Sequence, residues 1–496
     1  MATTDRGGWL LGVDIGTTGV RGAVVDALGR VVAEANEACP PDTCGEGRVE
    51  ADAEAWWNAA RAVIGRIGQS APLARVEGVG VTGQAPTAVL VDENGRPLRR
   101  AILWLDVRAG PEARALDRAL GPGRAEAIGG NRMHAYYLGP KLAWLSANEP
   151  EILERAALVL QSHAFVAMRL TGEATCDPST AMLCAPLFDA RAGVWSEEAA
   201  RAAGLKTRVM PRIARAHDVI GAVTREAAAL TGLREGTPVV AGGGDFAASA
   251  LGVGVVDEGE ACLMLGTAGN LLMPMDHPRF DSRLVNSHHV GCDRWLALGG
   301  TLCGAALEWF RGACARGVDW NTLEQEAGEV EVGAGGLVVL PYFQGERTPV
   351  WDERARGVFF GLDLTHTRAH LYRALIEGIA LGFRHCLAVA EERGVRFGEV
   401  VAANGAGRSA LLRQALSDAL GVPVTWVGSG GGTVSGAALL AGLGIGVLAD
   451  PRAGRAWRRE VIRHEPDPRA SAKLVDVFAR RVSLYASVRE CFGPRG

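Results

Sequence analysis

The stretch Trp9-Leu10-Leu11-Gly12-Val13-Asp14 turns through Ile15-Gly16-Thr17-Thr18-Gly19, returns as Val20-Arg21-Gly22-Ala23-Val24-Val25-Asp26, and decides how this chain is read. Two short apolar runs joined by a Gly/Thr turn spell a β-hairpin. The pattern recurs as Ala261-Cys262-Leu263-Met264-Leu265-Gly266-Thr267-Ala268-Gly269-Asn270-Leu271-Leu272-Met273, with the two Gly-Thr pairs 250 positions apart in a chain of 496. A repeat at half the length predicts two related halves, each offering a turn to one shared cleft. The boundary is expected near residues 252–258, giving domains 1–252 and 253–496.

Length and composition agree with such a plan. A chain of 496 residues exceeds one compact core and calls for two or three domains. With 48% hydrophobic and 22% charged residues the balance is that of a folded soluble protein. A net charge of -4 gives no electrostatic reason to expect nucleic acid or an acidic membrane as partner. Neither a signal-peptide core nor an uninterrupted apolar run of membrane-spanning length is seen, which predicts a cytoplasmic protein. The ten cysteines follow no disulfide or zinc spacing and read as reduced, mostly buried thiols. Strands and helices alternate throughout, with amphipathic helices expected over 51–67 and 371–393.

Backbone N–H groups in a Gly/Thr turn converge on a concave site for anions, and the Thr hydroxyls add donors. Two such turns suit the two sides of a triphosphate. Asp14, immediately before the first, is placed to meet phosphate-bound Mg²⁺, which takes only one or two carboxylates. Between the hairpins lies Thr237-Pro238-Val239-Val240-Ala241-Gly242-Gly243-Gly244-Asp245, a strand that ends in three glycines and a carboxylate. Glycines clear the approach to that acid, so it suits a catalytic base beside a phosphate. It equally suits an N-cap for a following helix, 246–251. Two more glycine clusters, Asn404-Gly405-Ala406-Gly407-Arg408-Ser409 and Gly428-Ser429-Gly430-Gly431-Gly432, precede helices. Small residues there admit either a flat adenosine or tight helix packing. No P-loop, dinucleotide fingerprint or protein-kinase loop is present.

The chain resembles the FGGY family of carbohydrate kinases, in its xylulose kinase-like branch. The resemblance rests on the Asp14 to Gly19 turn, Trp104-Leu105-Asp106-Val107-Arg108, Lys141-Leu142-Ala143-Trp144-Leu145, Gly242 to Asp245, Leu265 to Gly269, Gly299-Gly300-Thr301, Gly345-Glu346-Arg347-Thr348-Pro349, Gly405 to Ser409 and Ser435 to Ala441. It implies an α/β fold of two actin-like (ribonuclease H-like) ATPase domains around a central cleft. It further implies that Asp245 is the general base, that Asp14 and Asp245 serve Mg²⁺, and that Gly16, Thr17, Thr18, Gly266 and Thr267 hold the phosphates of ATP. Gly300, Thr301, Gly405, Ala406 and Ser409 would line the adenosine pocket, and a homodimer would be unsurprising. The acceptor would be a small sugar or polyol, with a ketopentose such as xylulose the first choice. The rival reading is an actin-like ATPase switch, or a kinase-like protein of low activity, without a small-molecule acceptor.

Departures from the pattern concern the acceptor. Gln84-Ala85-Pro86-Thr87 stands where xylulose kinases carry Gln-Met-His-Gly, and Phe246 follows the base where relatives place Asn or Gln. Losing an amide from a polar pocket shifts recognition toward a less hydroxylated or differently oriented substrate. Gln84, Trp104, Asp106 and Arg108 are the candidate sugar contacts, an aromatic ring covering the apolar face of a polyol while polar groups take its hydroxyls. Lys141 is one of only three lysines, either kept for its shape or simply a solvated helix residue. The histidines form no ligand spacing.

Overall fold

The computed structural model describes residues 8–45 and 47–493. The chain forms two compact units, one made of residues up to 256 with 286–296 and 430–457, the other of 257–285, 297–429 and 458 onward.

The first hairpin forms as its sequence dictates. Trp9–Ile15 and Gly19–Val25 pair antiparallel, Asp14 facing Arg21 and Ile15 facing Val20. On its other side Trp9–Ile15 runs parallel to Val76–Gly83. The full order is Val219–Ala222, Pro238–Val240, Val76–Gly83, Trp9–Ile15, Gly19–Val25, Val31–Ala38, with Gly243–Gly244 also on Val76–Gly83. All seven residues of Trp9–Ile15 are buried, so this strand lies in the middle of the unit.

Two helices bear on that sheet for different reasons. Ala53–Ser70, capped by the Asp52 carboxylate on the Glu54 N–H, turns Trp56, Trp57, Val63, Ile64 and Ile67 inward. Thr433–Gly444 offers only small residues at its point of contact. A Cβ on Gly12 would lie 2.2 Å from the Val434 carbonyl oxygen, and one on Gly80 2.0 Å from that of Ala437. Across the helix, a Cβ on Gly436 would lie 2.0 Å from the Ala248 carbonyl oxygen. Backbone therefore rests on backbone, and any added side chain there must displace main chain. In the Gly428 to Gly432 cluster ahead of this helix, a Cβ on Gly431 would lie 2.7 Å from the Val253 side chain, while one on Gly432 would meet nothing within 4 Å. Residues 430–457, from the part of the sequence expected to form the second domain, pack in the first unit, their helix lying on its sheet.

The second unit repeats the central motif. Glu260–Leu265 lies between the antiparallel Ala268–Met275 and the parallel Glu399–Ala403, as Trp9–Ile15 does between its own partners. Trp295–Leu302 flanks one side of this group, and Val424–Ser429 and Arg459–His464 the other. The helices that matter below are Gly304–Cys314, Trp320–Gly328, Arg368–Glu392 and Ala410–Leu420. Among the described residues no helix is long and apolar enough to cross a membrane, and the cysteines are free thiols.

Candidate active site

The three glycines before Asp245 each meet a different constraint. Gly242 has φ +74°, and a Cβ there would lie 1.8 Å from the Val81 carbonyl oxygen. Gly243 sits in register with Thr82, which itself pairs with Asp14, so the three lie in one row across adjacent strands. Gly244 donates its N–H to the Ser179 hydroxyl at 3.1 Å. The Phe246 ring folds back over Gly244, where a Cβ would be 2.5 Å from the ring. Helix Asp245–Gly252 starts at the acid itself, one residue before the expected 246–251, and its N-cap is Gly244. The Asp245 carboxylate takes only the next N–H, that of Phe246, at 2.7 Å. It does not close a cap on the second or third turn residue, so the capping alternative falls away.

Asp14 is the neighbouring charge. Burial, then the Asp245 carboxylate nearby, holds its carboxyl well above the usual range, with Arg21 and the Thr82 hydroxyl opposing. Burial raises Asp245 as well, against the Phe246 N–H. Two carboxylates that resist ionising together are what a hard cation would relieve. Among the described residues no cluster of three or more His, Cys, Asp or Glu could hold a metal. The pair fits Mg²⁺ all the same, since that ion keeps its waters and takes one or two carboxylates with substrate phosphates.

The first turn is stiff. Gly16 N–H closes onto Gly19 O at 3.0 Å, and Cys39 N–H onto Thr18 O at 2.9 Å. Thr18 is exposed and Thr17 half-buried. Thr17 Oγ1 accepts from the Trp104 indole N–H at 3.1 Å, tying the turn to the candidate sugar contacts. The Trp104 ring meets Tyr136 edge to face at 6.4 Å.

The remaining sugar candidates separate into two kinds. Gln84 is 1% exposed, and neither its amide oxygen nor its nitrogen has a partner. Leaving both unsatisfied costs several kcal/mol on the order of 1–3 per group, so this side chain is available to a ligand. Asp106 and Arg108, by contrast, are spent on each other. The guanidinium Nε donates to both Asp106 oxygens at 2.9 and 3.0 Å, and its NH2 to Asp106 and Glu50 at 2.7 Å. Val49 N–H adds a further bond to Asp106 at 2.8 Å, and Arg108 also stacks on Trp144. The pair clamps its own segment to residues 49–50, so neither group stands free as the hydroxyl reader expected of it. Lys141 completes the clamp and is fully buried, correcting the solvated alternative. Its ammonium donates to the Leu103 and Tyr136 carbonyls at 2.8 and 2.9 Å, and burial pushes its pKa down to about 7.

In the second unit the Gly266-Thr267 turn is held by a helix start: Gly304 N–H donates to Gly266 O at 3.0 Å and Ala305 N–H to Thr267 O at 3.1 Å. Beside the turn opens a cavity of about 1020 Å³ lined by Gly266, Thr267, Trp320, Tyr372, Gly405, Ala406, Arg408 and Ser409 among others. That is the size of a nucleotide-class pocket. Gly405, Ala406 and Ser409, expected at an adenosine pocket, are all in this lining. Gly300 and Thr301 are not in the lining: Gly300 N–H is bound by Thr348 Oγ1 at 2.7 Å, and Thr301 donates to Glu346 at 2.8 Å. They stiffen the sheet behind the turn instead. Sequence reading missed Glu324, which joins two walls of the cavity by accepting from Ser409 Oγ at 2.7 Å, Tyr372 Oη at 3.2 Å and Leu411 N–H at 3.3 Å. No spacing in the sequence marks it, because its three partners come from two other helices.

A hairpin motif repeated in two units, a carboxylate pair at the end of one and a nucleotide-sized cavity beside the other define a phosphotransferase of the actin-like ATPase fold. Family models agree: the FGGY carbohydrate kinase N-terminal domain matches residues 9–252 and the C-terminal domain residues 261–445. Xylulose kinases of Escherichia coli (strain K12) and Bacillus subtilis (strain 168) are 33% and 30% identical, each over 97% of both chains. The crystal structure of xylulose kinase from Rhodospirillum rubrum is 34% identical with a TM-score of 0.91, covering 98% of this chain and 99% of that one. The chain belongs to the FGGY family of carbohydrate kinases. It is a phosphotransferase with an alcohol group as acceptor, a sugar as substrate and ATP as cosubstrate.

Proposed function

We propose that the acceptor is a ketopentose, xylulose first, and that Asp245 is the base which takes the proton of the attacking hydroxyl. The observation that carries the base assignment is the placement of Asp245: after three close-packed glycines, at a helix start, beside Asp14, with its carboxylate hydrogen-bonded, among the described residues, only to the backbone next to it. Phosphoryl transfer asks the protein mainly for position and charge neutralisation, and for one carboxylate to orient the nucleophile. The full-length likeness to proteins named as xylulose kinases supports the ketopentose.

The roles divide by residue. Gln84 offers both amide groups to acceptor hydroxyls, and Trp104 covers the apolar face while Asp106, Arg108 and Lys141 fix its backbone. Thr17, Thr18 and Thr267 offer hydroxyls to phosphate oxygens, and Gly405, Ala406 and Ser409 shape the nucleoside end. Asp14, with Asp245, would hold Mg²⁺; the ion, when bound, neutralises charge on the phosphates. Transfer requires the two half-sites to be brought together with water excluded.

The deciding experiment measures ADP release with Mg·ATP across ketoses, aldoses and polyols. Xylulose is expected to give the highest kcat/KM. ATP turnover that runs equally without any acceptor would refute the kinase reading in favour of a switch. Phe246 supports a second reading, a kinase for a less hydroxylated acceptor, because an apolar ring covers the place next to the base. Phe246→Asn then separates the two: improved xylulose turnover means that the ring faces the acceptor, and an unchanged rate sinks the second reading.

A further inference from the structure

Three consecutive glycines open the approach to Asp245, and with no side chains of their own they are held through the backbone pairing with Val76–Gly83 and through what packs around them. Something outside the loop must fix the direction in which the helix starts. The segment 177–179 meets that need. Asp177, 1% exposed, caps the short helix Pro178–Ala181 by accepting the Ser179 N–H at 2.8 Å and the Thr180 N–H at 3.4 Å. Its carboxylate lies 3.0 Å from where a Cβ on Gly243 would stand, and 3.6 Å from His163 Nε2. Ser179, also 1% exposed, has its carbonyl bound by the Ser287 hydroxyl at 2.8 Å. Its own hydroxyl accepts the Gly244 N–H. Gly244 is the N-cap of the Asp245 helix, so this bond fixes the Gly243–Gly244 peptide, one short of the acid.

We infer that Ser179 is a positioning residue for the reaction, holding Gly244 so that the Asp245 carboxylate faces the acceptor hydroxyl. The inference rests on the reading of Asp245 as the base. A base displaced by about 1 Å loses on the order of a hundredfold in rate, whereas nucleotide binding in the other unit is untouched. Ser179→Ala is expected to lower kcat about tenfold or more while KM for ATP stays within about twofold. Ser179→Thr keeps the hydroxyl and is expected to recover most of the rate; should the Ala protein fail to fold, Ser179→Cys, a weak acceptor, takes its place.

The test is a double-mutant cycle with Asp245→Asn, read as residual turnover together with the melting temperature. If Ser179 acts through the base, removing it from the Asp245→Asn enzyme costs nothing further; a merely structural role makes the two losses multiply. A folded Ser179→Ala enzyme with full kcat, multiplying losses, or a Thr variant as impaired as the Ala one would overturn the inference. If Asp245→Asn itself keeps its rate, the base reading fails, and that outcome is distinct from the others.

Discussion

The two Gly-Thr hairpins share a fold and differ in what surrounds them. Aligned on Gly16 and Gly266, the position before the last strand residue is Asp14 in the first and the buried Met264 in the second. The first turn is tied sideways to Trp104 and carries its acid beside Asp245. The second is seated on the start of Gly304–Cys314 and opens on the nucleotide-sized cavity. On the function proposed above, one motif used twice is divided: catalytic charge on one copy, nucleotide cradle on the other.

Breaking the charged copy has the largest expected effect. Asp245→Asn should lose about 10²–10⁴-fold in kcat while calorimetric ATP affinity is retained. Asp14→Asn should cost on the order of a hundredfold and blunt the Mg²⁺ dependence of the rate. The same variant has a sign-definite stability signature. The Asp14 carboxyl is harder to ionise folded than unfolded, so its contribution favours folding at low pH and is lost as pH rises through its raised pKa. In chelator, the melting temperature of Asp14→Asn relative to the parent should climb from pH 5 to pH 9, and Mg²⁺ should raise the parent alone. On the nucleotide copy, Thr267→Val should raise KM for ATP about tenfold with little change in acceptor KM. The smallest effect belongs to the tie: Trp104→Phe keeps the ring, loses the Thr17 bond, and should raise acceptor KM about twofold to tenfold. If Thr267→Val weakened acceptor and ATP alike, the division of labour would not hold.

Local pattern made much of this legible. Both hairpins and a helix after the Gly405 cluster could be read from local pattern, whereas Gly405, Ala406 and Ser409 as pocket lining came from the family resemblance. What escaped depends on pairing across long separations. Asp106 and Arg108 look like free polar groups in sequence, and only Glu50 and Val49, more than fifty residues away, reveal that they are occupied. Lys141 looks like any helix lysine until two carbonyls from other segments enclose it. Gly300 and Thr301 carry a family pattern, yet Thr348 and Glu346 claim them.

The helix Thr433–Gly444 ties the beginning of the chain to its end. The strand that carries Asp14 rests, backbone on backbone, against residues made more than four hundred positions later. During synthesis the first unit is therefore nearly complete at residue 256 but cannot cover Gly12 and Gly80 until about residue 444 has emerged. At ribosomal rates of about 5–20 residues per second those 200 or so residues take roughly 10–40 s. Throughout that interval the face of the sheet that carries Gly12 and Gly80 lacks its folded-state cover.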